Sequence, residues 1–370
     1  MRILQISSAR TYGGGERHLA DLARSMHERG HKVFAALRPT NEWRKYLEFL
    51  PEANVLTVSI RNSVGIFSAS RIAKFVRDNE IEIIHAHIAR DYIPASIASA
   101  LAKNAKFVLT RHVVLPLKPF NRYALKNVER VIGVSAGVSD ELKRTFPERK
   151  IRTIPNGIET ENWLGRERSK LRNEFRSFHN IPDDVPLIGT VGELLPVKGQ
   201  RDLVLAANET IKKFPNTRFL IAGKDNSLDK GFRRELKRLT DVFGIKENFL
   251  WLDWVEDTSM LYSALDLFVS PSHSESFGLS MLEAIVSETP VVATDTAGAR
   301  ELRIAPENIV PINDPLALSN KINGVLTDLD TAFVKAQAAR TKAAQDFSLR
   351  KMADSTESLY KEICHTESNK

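Results

Sequence analysis

The segment 270–284, SPSHSESFGLSMLEA, contains the residues whose types and spacing are most informative about chemistry. Its polar loop follows a predicted strand, and a helix is predicted to begin near Gly278. Glu275 lies in the loop, and Glu283 lies about one and a half turns inside the helix. A carboxylate accepts two hydrogen bonds side by side and suits the paired hydroxyl groups of a ribose or a sugar. The N–H groups at the helix start, near Gly278 and Leu279, suit a diphosphate.

Two other loops connect a predicted strand to a predicted helix. Gly13-Gly14-Gly15-Glu16 follows the first strand, and its glycines allow a ligand to approach the backbone closely. Position 18 is His18 and not glycine, so the run is not the dinucleotide fingerprint, and a tight turn is the alternative. The loop 192–199 follows the first strand of the second half. Its Lys198 either reaches a phosphate as a mobile charge or is a surface lysine.

The histidines predict no metal ligand set. His112 follows the strand Phe107–Thr110, where it either contacts a ligand or is a hydrogen-bonded residue at a strand end. His85 and His87 flank the end of another strand, and we favour a structural role for them over one in lining an acceptor site. Asp328-x-Asp330 resembles a metal-binding pair, but its late helical context indicates a solvated surface.

Short β-branched runs alternate with amphipathic helical stretches, which predicts parallel sheets with helices on both faces. In one helix, Leu19, Leu22, Ala23 and Met26 repeat at helical spacing, and Gly30 follows as a stop signal. The predicted strands of the first half are Ile3–Ile6, Lys32–Leu37, Val55–Val58, Ile81–His85, Phe107–Thr110, Val131–Val134 and Ile151–Ile154.

The pattern is interrupted at 161–186, a polar and charged stretch that we interpret as the connection between two domains. A second set of strands then follows: Leu187–Val191, Thr217–Ala222, Phe249–Leu252, Leu267–Val269, Val291–Ala293 and Ile309–Val310. The chain is therefore predicted to contain two doubly wound domains. Ligands of such sheets bind at the carboxyl ends of the strands, and two facing domains would hold one in the cleft between them.

Composition agrees with a globular protein of two domains, since 370 residues exceed the size of one ordinary core. Cys364 is the single cysteine, so no intramolecular disulfide is expected and a reducing cytoplasm is the natural setting. The first apolar run is too short for a signal peptide, and no stretch approaches the length of a membrane span.

Positive charge is concentrated in the first half of the chain. Residues 1–160 contain 26 Lys and Arg against 15 Asp and Glu, whereas the remaining residues contain 27 against 31. This asymmetry indicates either an anionic partner or merely a solubilising surface. Nucleic acid is not expected as that partner, because none of its recognition motifs occurs.

The motifs together resemble retaining glycosyltransferase family 4, whose members have the GT-B fold of two Rossmann-like domains. The resemblance covers essentially the whole chain. It depends on the Glu275-x7-Glu283 pair, the glycine run at 13–16, Lys198-Gly199, and Pro155-Asn156-Gly157-Ile158-Glu159, all in the family's order and spacing.

The resemblance implies roles for the matched residues. Glu275 would contact the donor sugar, and Glu283 would hold the ribose hydroxyls. Lys198 would neutralise the leaving diphosphate, and His112 would hydrogen-bond the sugar or the reaction centre. Gly14 and Gly15 would lie near the diphosphate and the acceptor. The segment that lines the sugar and diphosphate would comprise Phe277, Gly278, Leu279 and Ser280.

The sequence departs from the family at Glu193. The family commonly has an arginine there that pairs with the diphosphate, and an acid aimed at a phosphate would repel it. Arg201 or Arg300 is a candidate to supply the missing charge. Otherwise donor affinity is lower, the donor is unusual, or the protein is inactive.

The predicted function is retaining, metal-independent sugar transfer from a nucleotide diphosphate sugar, with a UDP-sugar favoured. The acceptor would be a glycan or a lipid-linked glycan of cell-envelope polysaccharide or lipopolysaccharide synthesis. The alternatives are a nucleotide-sugar epimerase of GT-B fold and a catalytically silent partner subunit. No cofactor is expected. The basic first half makes an anionic membrane surface a candidate partner, which would place the enzyme in the cytoplasm at the inner face of the membrane.

The break in the strand pattern after residue 160 predicts a domain boundary near residue 165. The resemblance implies in addition that the C-terminal helix returns to the first domain, so residues 1–165 and about 350–370 are expected to form the acceptor-side domain. Residues 166–349 are expected to form the donor-binding domain.

Overall fold

The computed structural model describes residues 1–60 and 65–365, which fold into two compact units. The first unit comprises Met1–Gly157 together with the segment that begins at Leu349, and the second comprises Ile158–Ser348. Residues 158–165, which the sequence analysis grouped with the first domain, belong here to the second unit. The backbone explains this grouping, because the Ile158 N–H donates to the Phe347 carbonyl at 3.1 Å.

The described part of the first unit contains a seven-stranded parallel sheet in the order β3-β2-β1-β4-β5-β6-β7. The chain reverses its direction of winding between β1 and β4, and a ligand site is expected at the carboxyl ends of those strands. The strands are β1 (Arg2–Ser7), β2 (Lys32–Leu37), β3 (Val55–Thr57), β4 (Ile83–Ala86), β5 (Lys106–Arg111), β6 (Val128–Gly133) and β7 (Ile151–Thr153).

The second unit repeats the arrangement with a six-stranded parallel sheet in the order β10-β9-β8-β11-β12-β13, reversing between β8 and β11. Every strand that the sequence predicts is present in the two sheets, with differences only at strand ends. The strands are β8 (Leu187–Val191), β9 (Arg218–Ala222), β10 (Phe249–Leu252), β11 (Leu267–Ser270), β12 (Val291–Thr294) and β13 (Ile309–Val310).

Helices connect the strands in both units. Those of the first unit are α1 (Gly14–Glu28), α2 (Ile66–Asp78), α3 (Ala89–Ala102), α4 (Asn121–Ala124), α5 (Ala136–Leu142) and, near the end of the chain, α15 (Leu349–His365). Those of the second unit are α6 (Glu161–Leu164), α7 (Arg168–Phe178), α8 (Gln200–Lys213), α9 (Gly231–Val242), α10 (Thr258–Ala264), α11 (Leu279–Val286), α12 (Ala297–Glu301), α13 (Pro315–Thr327) and α14 (Leu329–Asp346). Among the described residues, no helix combines the length and the apolar character that crossing a membrane requires.

Helix α15 is part of the first unit's core. Its apolar side chains Leu359 and Tyr360 are buried in the same cluster as Leu19 and Leu22 of α1. Charged groups join the two helices as well, since Arg29 Nη1 lies 2.8 Å from Glu357 Oε2 and 2.6 Å from Asp354 Oδ1. Helix α15, the last described helix, therefore completes the core of the first unit.

The charged stretch 161–186, interpreted from the sequence as a connection, forms the helices α6 and α7 and packs within the second unit. Arg176 of α7 is almost fully buried, and its Nη2 lies 2.6 Å from Asp266 Oδ2. The same guanidinium donates to the carbonyl groups of Ala264, Pro182 and Val185. A buried arginine with this many acceptors fixes α7 to its unit.

Candidate functional site

The candidate site of the second unit lies at the carboxyl ends of β8 and β11, the strands between which the winding reverses. The loop after β8 carries Lys198 at the end of a single 3₁₀ turn, and the loop after β11 carries Glu275. Lys198 Nζ donates to Glu275 Oε2 at 2.6 Å, and the two side chains are 30% and 16% exposed. Two motifs that are distant in sequence thus form one ion pair that a ligand can reach.

Close packing holds the two loops together. Gly199 has φ of +67°, and a Cβ built on it would lie 1.9 Å from the Pro271 carbonyl oxygen, so only glycine fits there. The His273 N–H donates to the Val197 carbonyl at 2.8 Å. The His273 ring also lies 2.7 Å from Asp202 of α8. These contacts position Lys198 against Glu275.

Helix α11 begins beside Glu275, as the sequence predicts. Gly278 precedes it with φ of +90°, and Leu279 and Ser280, both half-buried, form its first turn. Their N–H groups have no acceptor within the helix and can donate to an anion. Phe277 is buried before the helix, and Glu283 is buried on it at 3% exposed.

A short neighbouring helix fixes the backbone of Glu275. The Gly298 N–H, at the start of α12, donates to the Glu275 carbonyl at 2.8 Å. A Cβ at Gly298 would lie 2.6 Å from the Phe277 carbonyl oxygen and 3.0 Å from Glu275 Cγ. The carboxylate therefore projects from a loop that is packed on several sides.

Glu193 is directed toward the loop that follows β9. Its Oε1 accepts a hydrogen bond from Asn226 Nδ2 at 2.8 Å. The two arginines that the sequence suggested as replacement cations are engaged in exposed ion pairs, Arg201 with Glu235 and Arg300 with Asp295. Neither ion pair includes Lys198 or Glu275.

The candidate site of the first unit is built around the glycine loop after β1. Gly13 caps α1, and Glu16 Oε2 accepts the Gly13 N–H at 3.1 Å. A Cβ on Gly15 would lie 3.6 Å from Cδ2 of the His112 ring, so the loop covers that ring closely. Gly15 and His112 therefore lie together in this unit.

Three histidines meet at this edge of the sheet. One ring nitrogen from each of His18, His87 and His112 lies within 4.8 Å of the other two. His18 and His87 are buried and His112 is half-buried. Burial is the main cause that lowers the pKa of His18 to about 4, an effect opposed by the nearby Asn156. Burial also lowers the pKa of His87 and of His112 well below the ordinary value.

His85 differs from its neighbours because hydrogen bonds occupy both of its ring nitrogens. Nδ1 lies 2.6 Å from the Tyr360 hydroxyl and Nε2 lies 2.7 Å from the Thr110 hydroxyl. The side chain thus connects β4 to β5 and α15, which is a structural role. Asp328 is also structural, because its Oδ1 accepts from the Thr331 N–H at 3.2 Å and caps α14.

Sequence reasoning missed two buried polar residues at this edge. In the sequence, His18 is noted only as the residue that interrupts a glycine fingerprint. It nevertheless lies one turn into α1, on the side that carries Leu19 and Leu22. Asp91 accepts the Ser8 N–H at 2.8 Å, and burial raises the pKa of its carboxyl to about 6. Its signal in the sequence was an acid in the first turn of a helix whose later residues are mostly apolar.

The two doubly wound parallel sheets, each with candidate residues in the loops at its reversal point, have the architecture of the GT-B fold. Solved structures share this fold. HepE from Anabaena, in complex with UDP and glucose, is 20% identical with a TM-score of 0.86 over 98% of this chain and 100% of that one. A glycosyltransferase from Rickettsia africae is 25% identical with a TM-score of 0.84, and the match covers 99% of each chain.

Sequence comparison identifies the family. The family described as "Glycosyltransferase Family 4" matches residues 12–162, and "Glycosyl transferases group 1" matches residues 172–346. The lipopolysaccharide core biosynthesis glycosyltransferase LpsE of Rhizobium meliloti is 24% identical over 323 residues, which cover 85% of this chain and 86% of LpsE. The chain belongs to glycosyltransferase family 4.

Proposed function

We propose that this protein transfers a sugar, with retention of anomeric configuration and without a metal ion, from a nucleotide diphosphate sugar to a glycan or lipid-linked acceptor. A UDP-sugar is the favoured donor. Lipopolysaccharide or another cell-envelope polysaccharide is the favoured product. The names of LpsE and of the UDP complex of HepE support these choices.

The observation that carries the proposal is the Lys198–Glu275 ion pair beside the start of α11. A cation and a row of free N–H groups at one strand edge match the charge of a diphosphate. A carboxylate in hydrogen-bond contact with that cation is placed to accept hydroxyl groups of the attached sugar. Glu283, buried on the same helix, is the acceptor proposed for the ribose hydroxyls.

In the proposed reaction the bond between the anomeric carbon and the diphosphate oxygen breaks. The acceptor hydroxyl forms the new bond on the same face of the sugar, and its proton passes to the departing diphosphate. Lys198 and the N–H groups of Leu279 and Ser280 stabilise the charge that develops on that leaving group. Glu275 orients the sugar, and His112 supplies a hydrogen bond to it.

The first unit is proposed to bind the acceptor at an anionic membrane surface in the cytoplasm. The segment 113–126 supports this assignment, because it presents large exposed apolar side chains together with exposed cations. Leu115, Phe120 and Tyr123 are 65%, 49% and 77% exposed. Lys118, Arg122 and Lys126 are exposed beside them. Apolar anchors together with lysine and arginine are the combination that binds acidic lipid headgroups.

Two other functions remain as alternatives. A nucleotide-sugar epimerase of GT-B fold would use the same donor without an acceptor. A catalytically silent subunit would bind no donor, and Glu193 is the feature that favours it.

The test is acceptor-free hydrolysis of UDP-glucose, UDP-N-acetylglucosamine, GDP-mannose and ADP-heptose by the purified chain in the presence of a chelator. We expect slow release of one nucleotide, at least about 100-fold slower in Glu275→Ala, since aligned polar groups contribute on this scale. Glu307→Ala is the matched control, because Glu307 forms a surface ion pair with Lys335 at 3.1 Å in the same unit.

The outcomes separate the alternatives. Release of free sugar with retained configuration supports the transferase. Conversion of the donor to an epimer identifies the epimerase. If no donor is hydrolysed and none raises the melting temperature of the protein, the proposal fails and the catalytically silent subunit is the function supported.

A further inference from the structure

Three histidines of the first unit, His18, His87 and His112, form a histidine cluster. The three side chains come from α1, from the end of β4 and from the end of β5, and they meet where the carboxyl ends of those strands converge. Neither ring nitrogen of His112 nor Nδ1 of His87 has a hydrogen-bond partner among the described residues. His18 has Asn156 as a hydrogen-bonding neighbour, but no well-formed hydrogen bond reaches either of its ring nitrogens. Buried polar atoms without good partners at one point are costly unless a ligand satisfies them.

The one hydrogen bond within the cluster orients its acceptor. His87 Nε2 lies 2.7 Å from Gln5 Oε1. An Nε2–H donated to that oxygen leaves Nδ1 with its lone pair, on the side of the ring that lacks a partner. This is the arrangement by which a protein fixes the tautomer of a metal-binding imidazole.

We propose that His18, His87 and His112 form a binding site for one divalent transition metal ion of the Zn²⁺ class. Neutral imidazole is a ligand that zinc, copper and nickel share, and three histidines with one open position form a familiar zinc site.

Binding of a metal ion requires only a local adjustment of the three histidine rings. Zinc–nitrogen bonds of about 2.0–2.1 Å in a tetrahedron place the nitrogens about 3.4 Å apart. The ligand atoms here lie within 4.8 Å of one another. Metal binding therefore requires the rings of His18, which lies beside Asn156, and His112, whose nitrogens have no partner among the described residues, to rotate toward His87.

Metal binding would have a functional consequence, and this part rests on the proposed function. An imidazole nitrogen that coordinates a metal cannot donate a hydrogen bond to the donor sugar. Occupation of the site would therefore inhibit sugar transfer by withdrawing His112, although transfer itself uses no metal.

The binding experiment uses the full chain freed of metal with a chelator. Zn²⁺ is titrated in competition with a chromogenic zinc chelator, and Co²⁺ is used to record the visible spectrum. We expect one Zn²⁺ per chain at submicromolar Kd, and the intense absorption of tetrahedral Co²⁺. His18→Ala and His87→Ala should each weaken binding at least about tenfold, as should Gln5→Met, which removes the acceptor for His87.

His27→Ala is the matched control, because His27 is an exposed histidine on the same helix as His18. Its Zn²⁺ affinity should equal that of the wild type. Unchanged affinity in His18→Ala and His87→Ala, or a wild type that binds no Zn²⁺ at micromolar concentration, would overturn the proposal. A weak octahedral Co²⁺ spectrum would do so too, and this readout depends on no variant being folded.

A separate assay distinguishes this proposal from the proposed function. Zn²⁺ should inhibit donor hydrolysis by the wild type and inhibit His18→Ala much less. Binding without inhibition would contradict the role proposed for His112 and leave the metal site intact. Absence of donor hydrolysis would refute the proposed function, while the Zn²⁺ titration would still decide on the site.

Discussion

Lys198 and Glu275 form one ion pair across two strand-end loops, with Lys198 Nζ 2.6 Å from Glu275 Oε2. The residue expected to hold the diphosphate and the residue expected to hold the sugar are therefore partners of each other. Loss of either side chain would leave the charge of the other unpaired, so a change at either one also alters the other.

The ion pair predicts strongly non-additive mutations. Lys198→Ala and Glu275→Ala should each reduce kcat for sugar transfer by about 100-fold or more, because each removes its own contact and releases its partner. The double variant should lose little beyond the worse single variant, measured by single-turnover kinetics. The exposed pair Lys335 and Glu307 supplies the control cycle, where all three variants should match the wild type. Additive losses at Lys198 and Glu275 would show that they act independently.

Glu193, which stands where the family commonly has an arginine, predicts that an arginine at this position would strengthen nucleotide binding. Glu193→Arg should bind UDP about tenfold more tightly, since it replaces a repelling charge by one that pairs with phosphate. Isothermal titration calorimetry with UDP measures the change in Kd. Glu193→Gln, which removes the charge and keeps an acceptor for Asn226, should fall between the two. Weaker binding of UDP by Glu193→Arg would contradict this prediction. It would mean that Glu193 matters for UDP binding through its hydrogen bond to Asn226 and not through its charge.

The contact of α15 with α1 predicts how stability depends on pH. Lys361, Arg29 and His31 lower the pKa of Glu357 from its ordinary 4.5 to about 2. A carboxyl with a depressed pKa stabilises the fold above pH 4.5, and that stabilisation is lost as pH falls toward 2. Glu357→Gln should therefore reduce the unfolding free energy by about 2 kcal/mol at pH 7 and have little effect near pH 2.

Urea denaturation between pH 2 and pH 7 tests this dependence. Glu28→Gln, at an exposed position on α1, is the control and should change stability little at any pH. If the loss in Glu357→Gln is the same at pH 2 as at pH 7, the ion pairs of Glu357 are not its source.

The segment 113–126 predicts binding to anionic vesicles. Replacing Leu115, Phe120 and Tyr123 together by serine should reduce the fraction bound to vesicles of phosphatidylglycerol and phosphatidylethanolamine by about tenfold or more. Binding of the wild type should weaken as salt rises, because Lys118 and Arg122 contribute through screened charges. Flotation on a density gradient measures both effects. Phe178→Ser, which removes an 80% exposed side chain of the second unit, should bind as the wild type does.

The strands were predictable from the sequence because each is a buried β-branched run between turn signals. Helix α7 was not predictable, because its buried face contains Arg176. A charged residue is expected to be exposed to solvent unless its buried partner, here Asp266, is known. The same limit applies to the sites. Glu275, Lys198 and Gly278 carry local motifs, whereas the meeting of His18, His87 and His112 depends on which strand ends are neighbours, information that sequence spacing does not contain.

Helix α15 has a consequence for the order in which the chain can fold during synthesis. The core that it shares with α1 joins Leu22 to residues made more than 300 positions later, with the whole second unit in between. On a ribosome that adds about 5–20 residues each second, the first unit must wait tens of seconds with that apolar face uncovered. The second unit is contiguous in sequence and can fold before the first unit is complete. The unit whose synthesis begins first is therefore the one whose folding ends last.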